Sequence, residues 1–328
     1  MSGSLQVFRH AAAGVALLLL PGAGFLEARE PVDIGNRREL FVDRLLIDAM
    51  DGTELRMHRP HREGVALAFD KPWEGAFSAY PTVIHDGDRY RMYYRGMPDL
   101  KVKGRRAVTC YAESDDGIHW RKPDLGLFKV AGNRQNNIIL VEEGPAHNFS
   151  PFLDTRPGVP DTERFKAVAG IETTGLLGFV SEDGIHWRRI QEDYLFTEGM
   201  FDSQNVAFWS ESEQLYVCYF RTWTGEGFTG WRTISRATSP NFRDWSDPVE
   251  MAYGDTPPEH LYTNGTHPYF RAPHLYIALA KRFFPDQPGY TGSDAASLVS
   301  DPRYAATSSD SVLMSTRGGS RYDRPFME

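Results

Sequence analysis

Cysteine is nearly absent, with Cys110 and Cys218 the only two among 328 residues. Each lies within an apolar, β-branched or aromatic run, and the two fall in different repeats. Buried free thiols are therefore expected rather than a disulfide, and neither has a Cys or His neighbour at zinc-ligand spacing. Excess positive charge is also missing. The net charge is −8 and the pI near 5.7, which leaves no basic field to hold a phosphate backbone. Nucleic acid is accordingly not an expected partner, and a neutral polar ligand fits better. No Gly-rich phosphate loop in a strand-to-helix setting, nucleophile elbow or zinc-binding helix motif occurs. Beyond the N-terminus no apolar run is long enough for a membrane helix.

The N-terminus itself has the pattern of an export signal. Arg9 and His10 precede the apolar run Ala11 to Leu20, which Pro21, Gly22 and small residues follow. That run is short for a bilayer span. The expected division is a signal peptide over 1–28, cleaved after Ala28 or one of the glycines before it, and a mature domain over 29–328 that is secreted or periplasmic. An uncleaved anchor is the alternative reading. The mature part is rich enough to bury a large core, being 41% hydrophobic and 13% aromatic over the whole chain. Its 21 prolines and 30 glycines are spread along the chain, as frequent turns between short strands require, so an all-β class is expected.

Internal repetition carries the fold argument. Ser114-Asp115-Asp116-Gly117-Ile118-His119-Trp120 returns as Ser181-Glu182-Asp183-Gly184-Ile185-His186-Trp187. A worn copy runs Thr238-Ser239-Pro240-Asn241-Phe242-Arg243-Asp244-Trp245, and another runs from Ser315 to Tyr322. In such a turn Asp accepts from nearby backbone N–H groups, Gly supplies a positive φ and the aromatic ring buries between sheets. Repetition argues that Asp116, His119, Asp183 and His186 are scaffold. Ahead of each copy lies a hairpin with period-two alternation: 81–84 with 90–94, 151–153 with 165–168, 206–209 with 215–220, and 268–270 with 275–279. Each unit reads strand, turn, strand, strand, turn motif, strand, which is one blade of a β-propeller built from four-stranded antiparallel blades.

Repeated blades with a Ser-x-Asp-Gly-x-x-Trp turn resemble the five-bladed propellers of glycoside hydrolase families 32, 43 and 68, and more closely an environmental bacterial group related to family 32. The turn is also similar to the Asp box of sialidases, one residue shorter between Asp and Gly. The resemblance covers the chain from about Glu39 onward and implies a glycosidase acting on oligosaccharides or polysaccharides without a required cofactor. Only four units are countable, with the segment Glu39 to Phe69 available as an extra outer strand, so a five-bladed ring would be incomplete at the C-terminus. The motif is specific for blades and weak for chemistry.

In a propeller the first strand of each blade lines the channel, so ligand groups are expected where each unit begins. Asp202 opens the polar run Asp202-Ser203-Gln204-Asn205 within an otherwise apolar blade. Burying such a run is unfavourable unless it is bonded. Glu259 and His260 lie in the Pro-stiffened stretch entering the fourth unit, and His147 and Asn148 enter the second in the same way. Glycoside cleavage uses two carboxyl groups, one protonated and one ionised, and Asp202 with Glu259 is the expected catalytic pair. Tyr80, His147, Asn148, Gln204, Asn205, His260 and Asn264 are the expected substrate-binding residues. Tyr80, Trp209, Trp223 and Trp231 are candidate sugar-stacking faces against an alternative of interblade packing. Asp154 falls in a hairpin turn and ranks lower.

The family-43 pattern implies an Asp before the first-blade Pro, where this chain has Tyr80 before Pro81, with Asp70 and Glu74 the nearest upstream carboxylates. Of the pattern's acids only Asp202 and Glu259 match by position and type. A non-catalytic carbohydrate-binding propeller is the alternative. A phosphorolytic relative is a further one, for which Arg221 and Lys281-Arg282 are the suggestive cations. Calcium is admitted at His147 and its Asn and Asp neighbours but not required. The triplets beginning at Asn148 and Asn264 match glycan acceptors formally, but their channel positions leave no room for a glycan.

Overall fold

Short apolar alternation closed by tight turns gives four antiparallel sheets of four strands each among the described residues, arranged as a β-propeller. The structure is a computed structural model and describes residues 31–97, 107–130, 132–289 and 304–326. The expected signal peptide at 1–28 lies outside the described residues. The first blade runs outward as β1 (Ala79–His85), β2 (Tyr90–Gly96), β3 (Val108–Ser114) and β4 (Ile138–Leu140). The second is β5 (Ser150–Leu153), β6 (Phe165–Ile171), β7 (Gly175–Ser181) and β8 (Arg188–Arg189). The third is β9 (Val206–Ser210), β10 (Leu215–Gly225), β11 (Thr229–Ser239) and β12 (Val249–Glu250). No described helix is long and apolar enough to cross a membrane.

The fourth blade departs from the pattern at its inner edge. β13 (His260–Thr263) and β14 (His267–Tyr269) pair with the two halves of one long strand, β15 (Ala272–Phe284), whose other edge carries β16 (Ser308–Thr316). They form one inner strand broken at Asn264–Thr266, where Gly265 takes φ +58 with Leu279 O only 3.2 Å from the position of a Cβ. Asp323 bridges Ser315 on the outer side.

A fifth blade is not found among the described residues, so the five-blade count is not met there. Nor does the segment Glu39 to Phe69 add an outer strand, since residues 31–78 contain none. Side chains dock this segment instead of a backbone ladder. Arg317 reaches both Asp43 (2.6 Å) and Glu39 (2.9 Å), and Ser315 donates to the carbonyl of Val42. Further along, Glu74 is fully buried beneath the first blade. It accepts from Tyr94 Oη at 2.6 Å and pairs with Lys122 at 2.7 Å.

The repeated turn is structural in the first three copies. Ser114 Oγ accepts from the Gly117 N–H, Asp116 Oδ1 accepts from the N–H groups of Ile118 and His119, and Trp120 Nε1 donates to Gly117 O. Ser181, Asp183, Gly184, His186 and Trp187 repeat every one of these bonds. The third copy keeps them with Ser239, Asn241 and Trp245, but Phe242 occupies the glycine position at φ 67. Adjacent blades are locked by buried polar pairs at the opposite hairpin ends. Asp154 pairs with Lys166 at 2.7 Å and accepts from Tyr216 of the third blade, and Glu213 accepts from Tyr276 of the fourth. Cys110 and Cys218 are free and buried, and burial pushes both thiols upward.

Candidate functional site

The inner strands all run the same way, so the residues that begin them gather at one end of the channel. The strand bodies enclose a largely apolar cavity of about 610 Å³, lined by Pro81, Phe152, Phe208 and Pro268 among others. Gln204 donates to Thr82 Oγ1 at 3.0 Å, tying the start of the third blade to the first. At the channel mouth lies a second cavity of about 490 Å³, bordered by His147, Asn148, Gly170 and Asp202.

Asp202 is bound by Arg221, which donates from Nη2 to Oδ1. Arg221 sits on β10 with its side chain only 5% exposed, and its guanidinium lies 4.7 Å from the ring centre of Tyr262. The same ring is approached by Arg232 from β11 at 5.8 Å and by the Lys281 ammonium from β15 at 5.2 Å. Arg232 also covers Trp223 at 4.5 Å and Phe283 at 5.1 Å. Burial, then the charge of Arg221, lowers the Arg232 pKa from its ordinary value.

On the first-blade side, Arg95 from β2 donates to Phe77 O, covers the ring of Tyr80 at 4.6 Å and donates to His147 Nε2 at 2.8 Å. Tyr80 takes φ 57 in the bulge that opens β1. Burial and the neighbouring Tyr262 push its hydroxyl up to about 12. Burial, reinforced by Arg95, brings His147 down to about 4, so the ring is neutral at pH 7. The position considered for calcium therefore has a guanidinium against its imidazole. Among the described residues no group of three or more His, Cys, Asp or Glu is placed to hold a metal ion.

The other expected site residues divide by what they touch. Asn148 donates to the carbonyls of Gly170 and Phe201 and accepts from Gly170 N–H, so its amide clamps the second blade to the segment entering the third. Asn264 donates to Tyr219 O and accepts from Thr266 N–H across the break in the fourth blade's inner strand. Asn205 turns back on Phe201 and Ser203. His260 accepts from the Arg232 N–H through Nδ1 and lies tilted against Trp231, ring centres 4.7 Å apart. Trp231 is 43% exposed, whereas Trp209 is buried in the core. Glu259 is held by Arg282 at 2.9 Å and by Arg324, while Asp202 is held by Arg221. Arg282 also pairs with Asp310.

Arg95, Arg232 and Tyr262 were not singled out by sequence. The available signal was a charged residue inside an apolar strand, as at Arg95 in a run of tyrosines, which must find a partner when buried.

Four-stranded antiparallel blades around a channel, with polar groups gathered at one mouth, define a β-propeller. In fold the chain is similar to the glycoside hydrolase propellers. One solved structure described as a glycoside hydrolase matches with a TM-score of 0.53 and 12% identity over 82% of this chain and 78% of that one. The sucrose-6-phosphate hydrolase of Lactobacillus gasseri matches with a TM-score of 0.51 and 14% identity over 78% of this chain and 49% of its own. A curated relative, an uncharacterized protein of Mycobacterium tuberculosis, is 28% identical over 149 residues, 43% of this chain. That match spans 42% of the relative's length. No protein-family model matches the chain.

Proposed function

We propose that this chain is a carbohydrate-active propeller of the glycoside hydrolase type, exported from the cytoplasm, whose site is the channel mouth around Asp202. The observation that carries the reading is the meeting of Asp202, Tyr80, His147, Arg221 and Tyr262 at the strand starts. That end of a propeller channel is where a ligand can touch several blades at once. Exposed Trp231 and the His260 ring beside it offer a stacking face for a sugar. The export pattern of residues 9–28 supports an extracellular or periplasmic saccharide as substrate.

In this reading the glycosidic oxygen is protonated by one carboxyl group while the other, ionised, activates water or attacks the anomeric carbon. No cofactor is needed. Asp202 and Glu259 are the proposed pair, with Arg221 orienting Asp202. A second reading, a non-catalytic carbohydrate-binding propeller, is favoured by the two guanidinium groups that already engage Glu259. The test is a hydrolysis screen of the full chain, with Asp202→Asn and Glu259→Gln, against plant and algal oligosaccharides, folding being checked by thermal melts. Sugar release that both folded variants lose supports the pair, and release that survives either change removes that residue from it. Binding without release by the parent moves the function to the second reading.

A further inference from the structure

Four cations, Arg95, Arg221, Arg232 and Lys281, gather on Tyr80 and Tyr262; Asp202 pairs with Arg221, and Glu143 and Glu172 border the cavity on the second-blade side. Arg221 is the telling member. It is 5% exposed, spends Nη2 on Asp202, and leaves Nε and Nη1 buried with no hydrogen-bond partner. Arg232 Nε and Trp223 Nε1 are likewise buried and unpartnered. A guanidinium half-satisfied in a site of low polarity is unfavourable unless an anion compensates it. Aromatic faces offset part of this, but they supply no acceptor.

We infer that Arg221, Arg232 and Lys281, grouped around Tyr262, form an oxyanion subsite that receives the negatively charged substituent of an acidic saccharide. The substituent is a uronate carboxylate, a sulfate ester or a phosphate ester. Arg232 and Lys281 present the accessible donors, Lys281 being exposed and neither side chain having a hydrogen-bond partner among the described residues. Arg221 supplies fixed charge behind them. Forked guanidinium donors suit planar and tetrahedral oxyanions alike. The saccharide part of this inference rests on the carbohydrate reading above, whereas the anion part does not.

The test uses the full chain and isothermal calorimetry at fixed ionic strength. The probes are sodium glucuronate, sulfate and inorganic phosphate, with chloride as the reference ion. Saturable binding of at least one probe is expected, weakened about tenfold or more in Arg232→Gln and in Lys281→Gln, as loss of a charged hydrogen bond implies. Lys129→Gln, an equal charge change at an exposed position, should leave it unchanged. A parent that binds no probe above chloride, or variants that bind as the parent does, would overturn the subsite. A second arm compares uronate or sulfated oligosaccharides with their neutral counterparts, with and without phosphate. Preference for the acidic sugars supports the proposal. Sugar-phosphate formation from neutral sugars only in the presence of phosphate overturns it in favour of phosphorolysis. Anion binding with no saccharide binding at all would keep the subsite and sink the carbohydrate reading, while tight neutral-sugar binding untouched by Arg232→Gln would do the reverse.

Discussion

Gly117, Gly184 and Phe242 occupy the same left-handed corner of the repeated turn at φ of +78, +73 and 67, yet their surroundings differ. A Cβ on Gly117 would meet the Tyr90 ring at 3.5 Å, an ordinary contact. One on Gly184 would lie 2.5 Å from the hydroxyl of buried Tyr93. Gly117→Ala should therefore cost about 1 kcal/mol of backbone strain, and Gly184→Ala about 2–3 kcal/mol because overpacking adds to it. Urea titration reads the difference, and equal losses would contradict the assignment. Phe242 tolerates the conformation because its ring packs at 5.2 Å from Tyr216 and 5.6 Å from Phe152, burial worth more than the strain. His147 makes a pH prediction. Its folded pKa near 4 lies below the ordinary value of 6.5, so the unfolded chain binds the extra proton across that window. Stability is then fully present above pH 6.5 and falls as pH drops from 6.5 towards 4, by on the order of 2 kcal/mol after allowance for partial exposure. His147→Gln should flatten that part of the stability profile, and an unchanged slope would show that His147 is not its source.

At the scale of the blade, most of the architecture was legible because strand alternation and the turn motif report on backbone geometry alone. The hairpins at 81–94, 151–168, 206–220 and 268–279 fall on paired strands. The site was less legible. Asp202 was found from a polar run before a strand, and Lys281 as a suggestive cation, but Arg95 and Arg232 belong to β2 and β11, the second and third strands of their blades, and only tertiary crossing brings them to one mouth. Asn148 and Asn264, expected as ligand-facing amides, bond backbone groups of neighbouring segments. The Asp154–Lys166 pair within the second blade is fully buried, and removing one partner strands the other charge. Lys166→Met should cost about 3–5 kcal/mol, while Asp154→Leu with Lys166→Met should cost much less than the sum of the singles. Chemical denaturation of the three variants tests this, and strict additivity would refute the coupling.

For the molecule as a whole, the segment before the first strand is bound to the fourth blade by charge rather than by a ladder, which is why strand patterns in sequence could not place it. Glu39 and Asp43, both nearly buried, share Arg317, and Glu39 also accepts from His274. Burial would raise the Glu39 pKa, but bonds from Arg317 and His274 more than reverse it, leaving it below its ordinary value. A carboxylate with a depressed folded pKa stabilises docking above its unfolded pKa, and that contribution is lost as pH falls through the folded one. Arg317→Ala leaves two carboxylates together without a counter-charge, and opening of the segment should become easier by about 2 kcal/mol, roughly thirtyfold in population. Because the buried core is built from blade residues, with only Leu67 and Trp73 of this segment packed against it, the loss should be local. Limited trypsin digestion at neutral pH should then cut faster at Arg44, Arg56 and Arg62, two of which, Arg56 and Arg62, lie in a stretch without regular structure. The main melting transition should move much less than that rate. Digestion at the parent rate would show that Arg317 does not hold the segment, and a matching collapse of the whole melt would show that the segment is part of the propeller's cooperative core.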